Sequence, residues 1–279
     1  MDKERTLKEI QSNIKAGNTA LASGQISAMA DDFSDDPFTL LTCVSLLKVI
    51  EDEDAARALA GKIPDSAGDG NRIEVAKGLR AAGFPEEAAE TLLNAAECEA
   101  SVRETMRVRF DMTDFRGAVE TYGRLAEPTL EDTEIMIGAL AALNEHDRAV
   151  KAARELLAEA PDVLSVQRCY CAALSAAGMF KEAERFVKDN LKKNRTSSDA
   201  NALMSCHLWI DGKTAGAGAY ASKAIKEDPG NITAMEILAY CLVEKGKIKE
   251  AKIVAGAINE KEPGDPAVFR ILNMCRILG

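Results

Sequence analysis

LAALNEHDRA at residues 140–149, LSAAGMFKEA at 174–183, LWIDGKTAGA at 208–217 and LVEKGKIKEA at 242–251 are four versions of one ten-residue phrase. Each opens on Leu and closes on Ala, and the fifth place holds Asn144, Gly178, Gly212 or Gly246. The copies stand 34 residues apart, and a fixed period of that length marks a stack of repeated units in place of a single globular core. The residue types explain the phrase. Gly or Asn tolerates the left-handed backbone that ends a helix. The Ala five residues later (Ala149, Ala183, Ala217, Ala251) lets a second helix lie close to the first, and Leu140, Leu174, Leu208 and Leu242 fill the space between them. Each unit therefore reads as helix, turn and helix, with an exit at Pro161, Pro229 or Pro263 and with Arg195 in the corresponding place of the second unit.

Composition agrees. Hydrophobic residues make up 47% of the 279, aromatic residues only 5%, and β-branched runs are scarce, so helix propensity is favoured almost throughout. Upstream the turn-plus-Ala element recurs as Gly17 with Ala22, Glu51 with Ala56, Gly83 with Ala88 and Thr113 with Ala118, at a spacing that falls to about 30 to 32 residues from Glu51 onward. Helix pairs with trimmed connections are expected there. A stack of such pairs supplies the core that no pair has alone, so one unbroken solenoid over 1–279 is expected. Its sections are divergent shorter pairs at 1–129, four 34-residue repeats at 130–265 and a capping helix at 266–279. The stretch 64–71 (PDSAGDGN) reads as its one linker-like loop.

With repeats started at Leu130, Leu164, Ser198 and Ile232, the larger apolar place holds Met136, Tyr170, Met204 and Leu238, and the small place beside it Ile137, Cys171, Ser205 and Ala239. In this period and pattern the chain resembles the tetratricopeptide repeat (TPR) family. It departs from the family in having no Trp at the start of the first helix, and in placing Ala153, Val187, Ala221 and Ala255 where a larger side chain is usual. The resemblance implies an all-α, right-handed superhelical solenoid of about eight antiparallel helix pairs, with the first helix of each pair lining a concave groove that binds proteins.

The groove places implied by the resemblance are Glu131, Glu134, Gly138 and Ala141, then Ser165, Arg168, Ala172 and Ser175. They continue with Asp199, Ala202, Cys206 and Trp209, then Thr233, Glu236, Tyr240 and Val243. Arg168, Cys206, Trp209, Glu236 and Tyr240 are the candidate ligand-facing residues, because aromatic side chains in a concave surface serve as binding anchors. The alternative for Trp209 is packing against the neighbouring pair. The family's carboxylate-holding clamp is absent, since its basic places are Glu134 and Ala202 here. A basic or apolar segment is the expected ligand.

The function classes left aside follow from charge and chemistry. A formal charge of −10 and a pI near 5.0 disfavour nucleic acid and anionic membrane. The charged start MDKERTLKEI and the lack of a long apolar run point to a cytoplasmic protein with no membrane span. The seven cysteines show no paired spacing and read as free thiols, and the sequons at Asn194 and Asn231 are ascribed to chance. Cys206-His207 and Cys169-Tyr170-Cys171 point their side chains apart on a helix, so no metal is expected. Gly212-Lys213-Thr214 resembles the end of a phosphate loop, but His207 stands where its first glycine belongs. No catalytic residue and no cofactor are assigned; acidic pairs such as Asp31-Asp32 and Glu86-Glu87 read as solvated caps. The expected function is a protein–protein interaction scaffold or adaptor, with a self-assembling structural subunit or an accessory subunit of a larger complex as the alternative. The final helix is apolar round most of its circumference, and Val268, Phe269, Ile271 and Leu272 are its candidate interface, with a homodimer favoured.

Overall fold

The computed structural model describes residues 2–262 and 266–278, and among these it contains helices, turns and connections only. By its internal contacts the chain divides into two compact units, Met1–Glu127 and Pro128–Gly279. The division falls between the turns at Thr113 and Asn144, just before the regular 34-residue spacing begins at Asn144.

The first unit holds the pairs α1 (Lys3–Lys15) with α2 (Thr19–Asp32), and α3 (Pro37–Val49) with α4 (Glu53–Ala60). A single helical turn, α5 (Ile63–Ser66), precedes α6 (Arg72–Ala81) with α7 (Pro85–Leu93), and α8 (Glu99–Asp111) with α9 (Phe115–Tyr122) completes the unit. The stretch read as a loop is thus partly helical. Ile63 and Pro64 are buried, because their apolar surface is better placed in the core than in water. One core runs from α1 to α8 of this unit, with Ile10, Ile26, Leu40, Leu47, Ile63, Leu79 and Phe84 among its members. Between α6 and α8 the buried Glu104 accepts from Arg80 Nε at 2.7 Å and lies 3.8 Å from Arg107, while Arg80 reaches Asp111 at 3.3 Å. An isolated buried carboxylate would be costly, and the two guanidinium groups compensate it.

The second unit holds α10 (Leu130–Ala142) with α11 (His146–Glu159), α12 (Leu164–Ala176) with α13 (Phe180–Lys193), α14 (Ser198–Ile210) with α15 (Thr214–Glu227), and α16 (Ile232–Glu244) with α17 (Ile248–Lys261). The unpaired α18 (Pro266–Leu278) follows. Each first helix packs on the next first helix: α10 on α12, α12 on α14, α14 on α16, and α16 on α18. The second helices make no comparable contacts with one another among the described residues. A layer of first helices drawn together beside a layer of second helices held apart curves toward the first helices, which gives this unit a concave face lined by α10, α12, α14, α16 and α18.

The turn chemistry read from the sequence is realised at every pair. Gly17, Gly83, Gly178, Gly212 and Gly246 have positive φ, and so do the non-glycine residues Glu51, Thr113 and Asn144, at 62°, 61° and 61°. The hydrogen bonds show why the backbone must turn left here. In the first repeat of the second unit, the Glu145 N–H donates to the Leu140 carbonyl at 2.9 Å and the Asn144 N–H to Ala141 at 3.0 Å, the paired bonds that satisfy the last carbonyls of a helix. The repeated Leu sits where its carbonyl receives the longer bond: Met179 donates to Leu174, Lys213 to Leu208 and Lys247 to Leu242. Ala22, Ala56, Ala88, Ala118, Ala149, Ala183, Ala217 and Ala251 are all 0% exposed, so a methyl group is the largest side chain that the helix–helix approach admits without rearrangement.

Candidate functional site

The concave face of the second unit holds a cavity of about 680 Å³ bordered by α10, α12, α14, α16 and α18. Its floor is apolar: Ile137, Leu203 and Ile237 are buried side chains of α10, α14 and α16. Small residues make the room above them, namely Gly138, Ala141, Ala172 and Ala176. The single tryptophan and Tyr240 form one wall, their rings stacked with centroids 5.7 Å apart and planes at 21°. Both are half-buried, and the pair also rests on the core cluster of Cys206, Ala217, Ala221, Ile237 and Cys241. Trp209 therefore packs on a neighbouring repeat and borders the cavity at once; the two readings of this residue describe two sides of one ring.

The charged side chains of the cavity sit in one column of the repeat. Glu134, Arg168, Ala202, Glu236 and Arg270 follow one another at 34-residue intervals, and all but Ala202 line the cavity. Arg168 donates from Nη1 to Thr233 Oγ1 at 2.7 Å, spanning from α12 to α16 across α14. Arg270 donates from Nε to the Tyr240 hydroxyl oxygen at 3.3 Å. Burial pushes the Glu134 carboxyl above the ordinary carboxylate range, against the hydrogen bond to Ser165 and the nearby Arg168, which act the other way.

Three thiols border the same space. Burial pushes Cys169 and Cys171 each up to about 12 and Cys206 up to about 11, with Arg168 opposing the rise at Cys206. All three are protonated at neutral pH, and a thiol held in that form is a poor nucleophile and a poor metal ligand. His207 points to Asp211, which caps the end of α14, Nε2 to Oδ2 3.7 Å.

The structure thus brings Arg168, Cys206, Trp209, Glu236 and Tyr240 to one cavity. Arg270, which the sequence analysis left in a capping helix, joins them. Its signal was present in the sequence, because it stands in 34-residue register with Arg168 and Glu236. The candidate interface on the final helix fares differently. Val268 and Ile271 are interior, packed in the core cluster with Met235, Ala239, Ala255 and Ile258, so they are not available as a free surface; the last helix spends that face on α16 and α17. Leu272 is exposed, as is Ile277. The side chain of Phe269 lies outside the described residues.

Residues 208–275 match the tetratricopeptide repeat family model. Over those residues the chain is similar to tetratricopeptide repeats, and its fold is a TPR-like α-solenoid. Among solved structures, yeast Tom70 is similar at 12% identity, over 100% of this chain and 64% of that one, with a TM-score of 0.50. A tetratricopeptide repeat protein from Parabacteroides merdae ATCC 43184 is similar at 11% identity over 98% of both chains, with a TM-score of 0.49. At 12% identity the likeness to Tom70 concerns the fold alone. A search of curated proteins finds no match. TPR folds in general serve protein–protein interaction. Among the described residues no helix is long and apolar enough to cross a membrane.

Proposed function

We propose that this protein is a scaffold or adaptor that holds a peptide or helix of another protein against the concave face of its second unit. The observation that carries the reading is the cavity beside the Trp209–Tyr240 pair: a concave, apolar surface with two half-buried aromatic side chains and a few fixed polar groups is the usual composition of a recognition site. The acidic formal charge of the chain and the apolar floor favour a segment that is apolar or basic. A cytoplasmic location fits the many reduced thiols.

A photo-crosslinking residue tests the reading. Placed at Ala176, which lines the cavity, it should capture a discrete partner in the native cell, and the capture should vanish in Trp209→Ala. The same residue at Lys151, an exposed position on α11, should not capture that partner. Equal capture from both positions, or none at Ala176, would refute the assignment.

A second reading, self-assembly through the final helix, is favoured by the exposed Leu272 and Ile277. Sedimentation at micromolar concentration should show a dimer that Leu272→Glu with Ile277→Glu dissociates. A wild-type monomer removes this reading and leaves the first untouched.

A further inference from the structure

The stack of Tyr240 on Trp209 ends at α14, and the register of the repeat shows what stands beyond it. Counted back by 34 residues, the place of Trp209 holds Ser175 on α12 and Ala141 on α10, and the place of Tyr240 holds Cys206 on α14 and Ala172 on α12. The place where two rings meet between α14 and α16 therefore falls to Ser175 and Cys206 between α12 and α14. No side chain of α12 is large enough to continue the stack.

Tyr240 reaches Trp209 from α16 with its plane only 21° from that of the indole, so it covers one face of that ring. Because α14 packs between α12 and α16, the other face is turned to the α12 side. There Ala172 and Ala176 are exposed and border the same cavity as Trp209, above the buried side chains of Ile137 and Leu203. The arginines of the cavity are engaged elsewhere, Arg168 with Thr233 and Arg270 with the Tyr240 hydroxyl. A half-buried indole with apolar room at one face favours a second flat apolar group, since a ring adds its quadrupole interaction to the area that any hydrocarbon would bury.

Resting on the groove reading above, we infer that the cavity holds an aromatic side chain of the bound segment, stacked on Trp209 in the room that Ala172 and Ala176 leave. The two alanines are then specificity-determining residues: they admit the ring because neither has a side chain of its own to lay on the indole. The cavity of about 680 Å³ is larger than one ring needs and lies within the roughly 300–1,000 Å³ of ligand sites in general. Apolar residues beside the ring therefore also find cover, toward Ile137 and Ala141. The partner is a segment whose anchor is a phenylalanine, tyrosine or tryptophan.

Trp209 is the only tryptophan of the chain, so the full chain gives a single indole N–H resonance to follow. The probes are N-acetyl-phenylalaninamide and its cyclohexylalanine analogue, which are close in size and differ in the flat ring. The phenylalanine probe should move the indole resonance upfield and saturably, with the millimolar Kd of so small a ligand. It should bind roughly 2- to 10-fold tighter than the cyclohexyl probe, the range that ring stacking adds to buried area. Ala172→Leu and Ala176→Leu, both at exposed positions, should each weaken the phenylalanine probe by about ten-fold or more, as added methylenes do in an apolar site, with the thermal midpoint of the wild type. A phenylalanine probe that does not bind, a cyclohexyl probe that binds as tightly or tighter, or binding that survives both substitutions overturns the aromatic assignment. None of these results decides the groove reading, which stands or falls on photo-crosslinking from Ala176.

Discussion

Thr113 is the position at which the sequence pays most visibly for the repeat. Its φ is +61°, in the left-handed region where a β-branched residue is strained. The place is structurally required, because the next residue donates from Asp114 N–H to the Arg109 carbonyl at 2.8 Å, closing the end of α8. The Thr113 side chain is exposed, so little packing is lost when it is removed. Thr113→Gly should therefore be stabilising. The left-handed conformation costs an ordinary L-residue about 1–2 kcal/mol, and glycine returns roughly 0.5–1 kcal/mol of that through its greater freedom in the unfolded chain. The net expectation is a gain of about 0.5–1 kcal/mol.

The reverse exchange supplies the control. Gly178 occupies the equivalent turn in the second unit with φ +74°, and a Cβ built there meets nothing within 4 Å. Its replacement by Thr is opposed by the backbone alone, and Gly178→Thr should cost about 1–2 kcal/mol. Far-UV circular dichroism follows the whole chain, whereas Trp209 fluorescence follows the second unit. Thr113→Gly should raise the dichroism midpoint of the first unit and leave the fluorescence transition in place, and Gly178→Thr should lower the fluorescence midpoint. A destabilised Thr113→Gly, or an indifferent Gly178→Thr, would show that the left-handed turn does not set the energetics of these pairs.

Other consequences follow from the same contacts. Ala217→Leu and Ala251→Leu each place a larger side chain where none is exposed and should cost about 1–3 kcal/mol by overpacking, checked by denaturant midpoints. Glu104→Ala removes the buried carboxylate that Arg80 and Arg107 share and should cost about 1–3 kcal/mol, since the hydrogen bond from Arg80 is lost while Arg80 keeps Asp111; a variant as stable as wild type would show the cluster to be solvated. Tyr240→Ala should red-shift Trp209 emission and increase its quenching by iodide, because the stacked ring that shields one face is gone; unchanged emission would place the indole elsewhere. The Glu134 carboxyl has its pKa raised by burial, so the folded protein holds that proton more tightly than the unfolded chain. Its contribution to stability is then fully present below the ordinary carboxylate range and is lost as pH rises through the folded value. The stability advantage of Glu134→Gln should accordingly appear at neutral pH and shrink on acidification.

How far the sequence could be read is decided by what the period constrains. The eight left-handed turns, Gly17 to Gly246, were legible even where Glu51, Thr113 and Asn144 replace glycine, because the Ala five residues on identifies the turn without it. Both residues answer to the backbone, and the backbone repeats. The two departures arise where a neighbour is not a repeat. The turn Ile63–Ser66 forms in a stretch rich in Gly, Pro and Asp because Ile63 and Pro64 find cover in the core. The final helix buries Val268 and Ile271 on α16 and α17, and its apolar circumference alone could not tell which face that would be.

The site obeys a different logic. The column Glu134, Arg168, Ala202, Glu236, Arg270 is visible as a 34-residue register, yet its members meet unlike fates: Arg168 crosses to Thr233, Arg270 turns to Tyr240, and one oxygen of Glu134 is left without a donor. A period fixes where a side chain starts. It does not fix which repeat the side chain reaches, because a guanidinium stem spans from one helix pair to another. Positions that face the concavity are also released from the packing demands that make Ala149 or Ala217 invariant in kind, so charge, aromatic ring and thiol can vary there from repeat to repeat. That freedom lets an otherwise repetitive framework carry a site of particular chemistry, and on the proposed function the specificity would lie in the first helices of the second unit rather than in the repeat that builds them.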